Sequence, residues 1–437
     1  MRFDFFKRQG TDAVAIDRIE AAPTAIELNP DGYLTYALLL DPQKRVVGLR
    51  PAWHLAAPQA AASVQAQFKA MVACMAKHLN APKTGWRLGG TVLYLDLSAE
   101  LLAASELQSL PPEKVVLCLG PADLADAGAR PLLLFLREQG YGVLLKDAEA
   151  LPEEEEARGI VTHFGIDAVQ SHRAAALLRQ EQPGEPPLRV VSTGLAAWKD
   201  FDACAAQHLD VFVEGAFAVP PMKPEPGRTL QPESMLIVKV MQMIQRNEDL
   251  REIETALKHD AALTYRLLRH INSPAIGVGV EIHSLRHAMT MLGYAPLFRW
   301  LSLLLATSNS QASPPYLMKK AIMRGRFVEL MGKGLLPASE SDNLFVVGMF
   351  SLIDQLLGVS MAEVLDKVQL SESVQQAILS REGTYGPFLA LAEMCEQDGA
   401  EAARLAEELF MSAEQVNAAH LSALAWAQDV SPAAETK

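Results

Sequence analysis

The sequence predicts two domains, a parallel α/β domain followed by an all-α domain. Three observations carry that prediction. Short apolar strands alternate with helical stretches through the first half of the chain. A connector, PPMKPEPGRTLQP at 220–232, then places five prolines in thirteen residues, which blocks both helix and central strand. Beyond it apolar residues recur at helical spacing, and no strand pattern returns. At 437 residues the chain can give each domain a full core.

The expected strands are YLTYALLLD (33–41), TVLYLDLS (91–98), KVVLCLG (114–120), GVLLKDA (142–148), THFGIDAV (162–169), RVVSTG (189–194) and DVFVEGAFAV (210–219). Several are near-continuous apolar runs, the mark of parallel strands buried on both faces. Between them SVQAQFKAMVACMAKHL (63–79) and RPLLLFLREQG (130–140) read as helices, the second stopping at Gly140. Alternation by itself does not separate an open sheet from a barrel. Glu153–Glu156 read as solvated surface.

In the second half Leu250, Ile253 and Leu257 share one helical face, and Leu263, Leu267 and Ile271 share the next. Further helices are expected at 283–292, 295–308, 316–333, 343–357, 371–380, 387–397, 401–411 and 412–427.

Half the residues are apolar, 21% are charged and the formal net charge is −13. An acidic chain lacks the basic surface that releases counterions from nucleic acid, so DNA and RNA are not expected partners. MRFDFFKRQG at the start has no secretory pattern. The most apolar stretch, LFRWLSLLLA (297–306), contains Arg299 and is too short to span a bilayer. A cytoplasmic protein without membrane contact is the expectation. Cys74, Cys118, Cys204 and Cys395 lie far apart without CxxC spacing, and read as reduced packing residues. There is no GxxxxGK[ST], no GxGxxG after a strand and no GxSxG. The glycines of AIGVGVE (275–281) read as an irregular connection between helices.

The stretch HDAALTYRLLRHINSPAIGVGVEIHSLRHAMTMLGYAPLFRWLSLLL (259–305) resembles the HDOD domain, a helical relative of HD-type phosphohydrolases. The likeness lies in the Asp260 helix start, LLRHINSPAIG with Asn272-Ser273, the Ile282–Ser284 turn, the Ala288–Gly293 helix and the Trp300 helix. FVVGMFSLIDQLLG (345–358) and ILSREGTYGPFLALAEMCE (378–396) look like the form this module takes behind an EAL domain. The segment that would carry the metal dyad of an HD enzyme has Ser351 and Leu352 in the places of His and Asp. His259-Asp260 is preceded by no histidine in its own domain, and Asp260 reads as a helix cap.

That fusion implies a degenerate TIM-type EAL barrel for the first half, and whether all eight strands are present is left open. EAL domains hydrolyse cyclic di-GMP with metal ions held by acids at the strand ends. In this frame TYALLLDP (35–42) is the motif strand, with Ala37 at the glutamate and Asp41 at the arginine. Asp96 stands at the usual asparagine and Cys118 at a metal-binding glutamate. Lys146 and Asp147 replace paired aspartates, Gln170 the general-base lysine and Thr193 a further glutamate. Glu214 stands at a glutamine. Two-metal hydrolysis needs carboxylates to hold both cations, so the resemblance implies no metal, no cofactor and no enzyme. Asp96, Asp147 and Glu214 remain as a residual polar site.

The expected organisation is an extension at 1–22, an EAL-like domain at 23–221, a linker at 222–232, an HDOD domain at 233–430 and a tail at 431–437. The expected function is a non-catalytic signal-transduction adaptor acting through protein partners, with Pro274, Ile276, Tyr294 and Trp300 as an interaction surface. Alternatives are a non-hydrolysing sensor of cyclic di-GMP or another nucleotide, and an active cyclic di-GMP phosphodiesterase. A homodimer is allowed but not required.

Overall fold

A computed structural model describes residues 31–56, 62–82, 85–173, 188–195, 197–213, 230–258, 260–272, 282, 284–308, 313–337, 340–397, 399 and 401–430. Eight strands close a barrel: β1 (Gly32–Leu40), β2 (Val46–Leu55), β3 (Val92–Asp96), β4 (Val115–Leu119), β5 (Gly142–Leu145), β6 (His163–Ile166), β7 (Arg189–Ser192) and β8 (Asp210–Val213). Their order around the barrel is β1-β8-β7-β6-β5-β4-β3-β2. From β2 to β8 all neighbours are parallel, while β1 runs antiparallel to both β2 and β8. The barrel is therefore complete. Its eighth strand is VVGLRPAWHL, which the apolar pattern had not shown. Pro51 interrupts that pattern, but β2 pairs with β3 only at Gly48 and Leu49. At Pro51 the missing N–H costs little on that side.

Inside the barrel a small cluster gathers Ala37, Leu39, Tyr94, Val116, Cys118, Leu144, Val191 and Phe212. These positions follow the two-residue period of strands, so the next inward positions are the ones that reach the rim. Tyr94 meets Phe212 edge-on at 5.2 Å and His163 at 5.8 Å. A Cβ at Gly48 would lie 2.7 Å from the Tyr94 ring, so glycine there makes room for the ring.

Around the barrel lie α1 (Val64–Leu79), α2 (Pro121–Ala125), α3 (Ala129–Glu138), α4 (Glu155–Ile160) and α5 (Trp198–Ala206). Ser63 caps α1, its hydroxyl accepting from Ala66 N–H. The helical domain follows with α6 (Pro232–Gln245), α7 (Leu250–Lys258), α8 (Ala261–Ile271), α9 (Leu285–Leu292), α10 (Tyr294–Thr307), α11 (Pro315–Gly332), α12 (Ser341–Phe350), α13 (Ile353–Leu357), α14 (Met361–Val368), α15 (Glu372–Ser380), α16 (Gly386–Cys395), α17 (Ala402–Glu408) and α18 (Ala413–Val430). The expected single helix at 343–357 is broken at Ser351-Leu352. Asp260 caps α8 by accepting from Leu263 N–H at 2.9 Å. Asn272 clamps Ile282, donating to its carbonyl and accepting from its N–H. At the crossing of α11 and α12 a Cβ on Gly348 would meet Arg324 O at 2.7 Å, so the two backbones touch. Among the described residues no helix is long and apolar enough to cross a membrane.

Every residue of β1 is buried, because both of its faces are covered. Ala37 and Leu39 face the barrel interior, while Tyr36 and Leu38 belong to the cluster that continues into the helical domain. The Tyr36 hydroxyl reaches His420 on α18 at 3.3 Å. His420 stacks on Phe327 of α11, with ring centroids 4.5 Å apart.

Candidate functional site at the barrel rim

The carboxyl ends of β2 to β8 define one rim, the end at which such barrels carry their chemistry. Because β1 is antiparallel, its first residue pairs with the last of β2, Gly32 with Leu55. Asp41 therefore lies at the opposite end. It closes the β1–β2 turn there, accepting from Arg45 N–H at 2.8 Å and from Arg45 Nε at 2.7 Å. The expectation that Asp41 would stand at the arginine position of the motif strand does not hold at the rim, since the antiparallel β1 carries it to the other end.

Three ionic side chains meet at the rim. Arg50 of β2 approaches Asp96 of β3 at 3.6 Å, and Lys146, just after β5, donates to the other Asp96 oxygen. The Arg50 guanidinium also lies over the Phe212 ring at 5.0 Å. All three are partly exposed, with side-chain exposures of 22%, 43% and 30% for Arg50, Asp96 and Lys146. One carboxylate thus sits between two cations. Sequence reasoning missed Arg50, because the strand that carries it was not recognised. Its signal was available only in the pairing of Ala37 with Arg50 across β1 and β2.

Ala37 lines the interior beside Arg50. Cys118 is fully buried on β4, and burial pushes its thiol far above the ordinary range, with Asp96 adding to the effect. It is a packing group below the ionic layer. The turn after it uses Asp123 structurally: its two carboxylate oxygens accept from Gly120 N–H and Ala99 N–H. Asp147 is exposed with a left-handed backbone, φ 57°. Gln170 lies exposed in the turn after β6, accepting from Arg173 at 2.6 Å. Thr193 follows β7 and packs its methyl over Gly165, where a Cβ would lie 2.5 Å away. Glu214 lies outside the described residues, so the structure brings together only Asp96 of the expected residual trio. Among the described residues no group of three His, Cys, Asp or Glu side chains is placed to hold a metal ion.

In the helical domain Ser351 is buried between Arg324 Nη1 and Gly348 O, and Leu352 is buried at the start of α13. Trp300 is 5% exposed in the core and Tyr294 is 38% exposed. Trp300 therefore offers no surface, since its helix α10 packs inward. Pro274 and Ile276 lie outside the described residues.

Residues 230–382 match the HDOD domain family. The helical half carries an HDOD domain. The N-terminal region resembles EAL domains, among them the EAL enzyme Bd1971 in its cGMP-bound form, at 9% identity and a TM-score of 0.33, covering 42% of this chain and 60% of that one. Over 336 residues the chain is 28% identical to the cyclic di-GMP phosphodiesterase CdgJ of Vibrio cholerae, covering 74% of this chain and 75% of the relative. It is 21% identical over 355 residues to the uncharacterized protein YuxH of Bacillus subtilis, covering 78% of this chain and 85% of the relative.

The first of these relatives overturns one expectation from the sequence. A non-enzyme was expected, whereas a protein matched along three quarters of its length is a phosphodiesterase. The expectation had taken β1 for the motif strand and Gln170 for the base position. β1 is the antiparallel strand, so its far end, with Asp41, does not stand where that frame placed it, while Gln170 lies exposed just beyond the carboxyl end of β6.

Proposed function

We propose that this chain works in cyclic di-GMP signalling, with the barrel rim as its input end and protein contacts of the HDOD domain as its output. The coupling of rim to helices carries the reading. β1 and β2 stay paired out to Gly32 and Leu55, beyond the point where β2 pairs with β3, and run on as a ribbon past the rim. Asn417 of α18 grips this ribbon through the N–H of Leu34 and the carbonyl of Gly32. Gly399 packs against it as well; a Cβ there would lie 2.9 Å from the His54 ring. A change at the rim thus has a short mechanical path into the helical domain.

The relation to a cyclic di-GMP phosphodiesterase supports the choice of ligand. Arg50 and Lys146 add physical support, because they place two cations around one carboxylate where a phosphodiester would approach. The test is one experiment with two readings, run on the full chain with magnesium and then manganese. Calorimetry reports binding of cyclic di-GMP, and chromatography of the same samples reports linear product. Saturable heat supports the rim as input, and product formation adds turnover to it. Absence of both heat and product overturns the reading.

A further inference from the structure

A cleft of about 310 Å³ opens within the HDOD domain, where the end of α6 meets the first turns of α10, α12 and α15. Its volume is that of a small-ligand pocket. The walls are largely apolar, with Phe298, Val346, Leu370 and Val374 among them, and Tyr294, 38% exposed, stands in the same lining. Asp342 is the one charged side chain of that lining among the described residues. It is 24% exposed, and its carboxylate accepts no hydrogen bond among the described residues. Its one ion pair there, with Arg299, spans 3.8 Å, and Arg299 gives both Nη atoms to Glu329, at 2.7 and 2.8 Å. Burial pushes the Asp342 pKa up, with Arg299 opposing and Glu329 adding to the rise.

A half-buried carboxylate without donors is unfavourable until a ligand supplies them. We propose that this cleft receives an arginine side chain from an apolar segment of a partner protein. Asp342 accepts from the guanidinium, the apolar walls cover the methylene stem, and the Tyr294 ring stacks on the charged end. A planar fork meets a carboxylate through two parallel hydrogen bonds and lies flat on an aromatic ring, which the point charge of lysine does not do. Charge selects the occupant: Asp342 repels an anion, and no cation in the lining competes for the carboxylate. The inference rests on the reading that the HDOD domain acts through protein contacts, and names the chemistry of one such contact.

The experiment is calorimetry of the full chain with acetyl-Leu-Arg-Leu-amide, and with the same peptide carrying citrulline, the uncharged isostere of arginine. Saturable binding of the arginine peptide is expected, with the citrulline peptide weaker by about tenfold or more, the worth of a charge-assisted pair. Asp342→Asn should lose about tenfold or more toward the arginine peptide and little toward the citrulline peptide. Tyr294→Ala should lose about two- to fivefold toward the arginine peptide. Asp342→Asn removes a carboxylate that burial disfavours, so its melting temperature should not fall; if it does, the two peptides on the parent chain decide. No saturable heat up to about 10 mM, a regime of millimolar affinity or weaker, overturns the proposal, as does equal affinity for the two peptides. Acetyl-argininamide binding as tightly as the tripeptide would make a free guanidine the ligand and overturn the partner protein. The samples hold no cyclic di-GMP, so a failure here is distinct from a failure of the rim to bind its ligand.

Discussion

Asn417 and Leu34, 383 positions apart in the chain, are joined by a buried hydrogen bond in which the Leu34 N–H donates to Asn417 Oδ1 at 2.9 Å. The same side chain donates through Nδ2 to Gly32 O at 2.8 Å. One amide on the last helix thus satisfies two backbone groups at the start of the first strand. The HDOD match ends at residue 382, so this clamp belongs to helices beyond it that fold back onto the barrel.

Asn417→Ala should destabilise the protein by about 2–5 kcal/mol, because it leaves a buried N–H and a buried carbonyl unpaired. Urea unfolding checks this. A loss below about 0.5 kcal/mol, the level of an ordinary surface change, would mean that the clamp is not what holds β1 to α18.

Glu396 sits at the centre of a buried ionic cluster. Arg324 donates to its two oxygens at 2.9 and 2.7 Å, and Lys320 approaches at 3.1 Å. Burial pushes the Glu396 carboxyl up, but Arg324 and Lys320 outweigh it and hold the pKa at about 2. A depressed carboxyl contributes stability that is complete above the unfolded pKa, about 4.3, and is lost as pH falls toward the folded value. Glu396→Gln should therefore cost about 3–5 kcal/mol at pH 7, because it strands the buried Lys320 and leaves Arg324 with Glu393 alone. The gap between parent and variant should narrow when unfolding is repeated at pH 3.

Asp210 gives the opposite sign. Its pKa is raised to about 6 by burial and then by Asp41, with Arg189 opposing. The folded state therefore holds this proton more tightly than the unfolded state, and stability falls as pH rises from about 4 through about 6. Asp210→Asn should melt higher than the parent at neutral pH and match it near pH 4. A variant that melts lower at neutral pH would contradict this.

At the rim, Asp96→Asn should change stability by less than about 1 kcal/mol, since its ion pairs are partly exposed. It also removes the carboxylate that Arg50 and Lys146 share. Cyclic di-GMP should then bind several-fold more tightly, as read by calorimetry. Unchanged or weaker binding would place the ligand away from these cations.

Much of this was legible in the sequence, and the gaps have identifiable causes. VVLCL and DVFV announce themselves as strands because parallel strands are buried on both faces and need continuous apolar runs. Leu263, Leu267 and Ile271 likewise lie on one buried helical face. Hydrophobic pattern carries no direction, however. Nothing in YLTYALLLD tells that β1 runs against its neighbours, and that polarity decides which end Asp41 occupies. VVGLRPAWHL was hidden by Pro51 and Arg50, two residues that argue against a buried strand, and Arg50 turned out to be a rim residue. Two of the ionic trio were visible, Asp96 and Lys146, but their partner Arg50 depended on recognising β2.

The central claim is that the barrel rim speaks to the helical domain through the β1–β2 ribbon. Hydrogen exchange of the full chain, with and without cyclic di-GMP and magnesium, tests it most directly. The account predicts slower exchange at the rim ends of β2 to β5 and, in the same samples, along α18 around Asn417. Protection at the rim with α18 unchanged, or no protection anywhere, would contradict it.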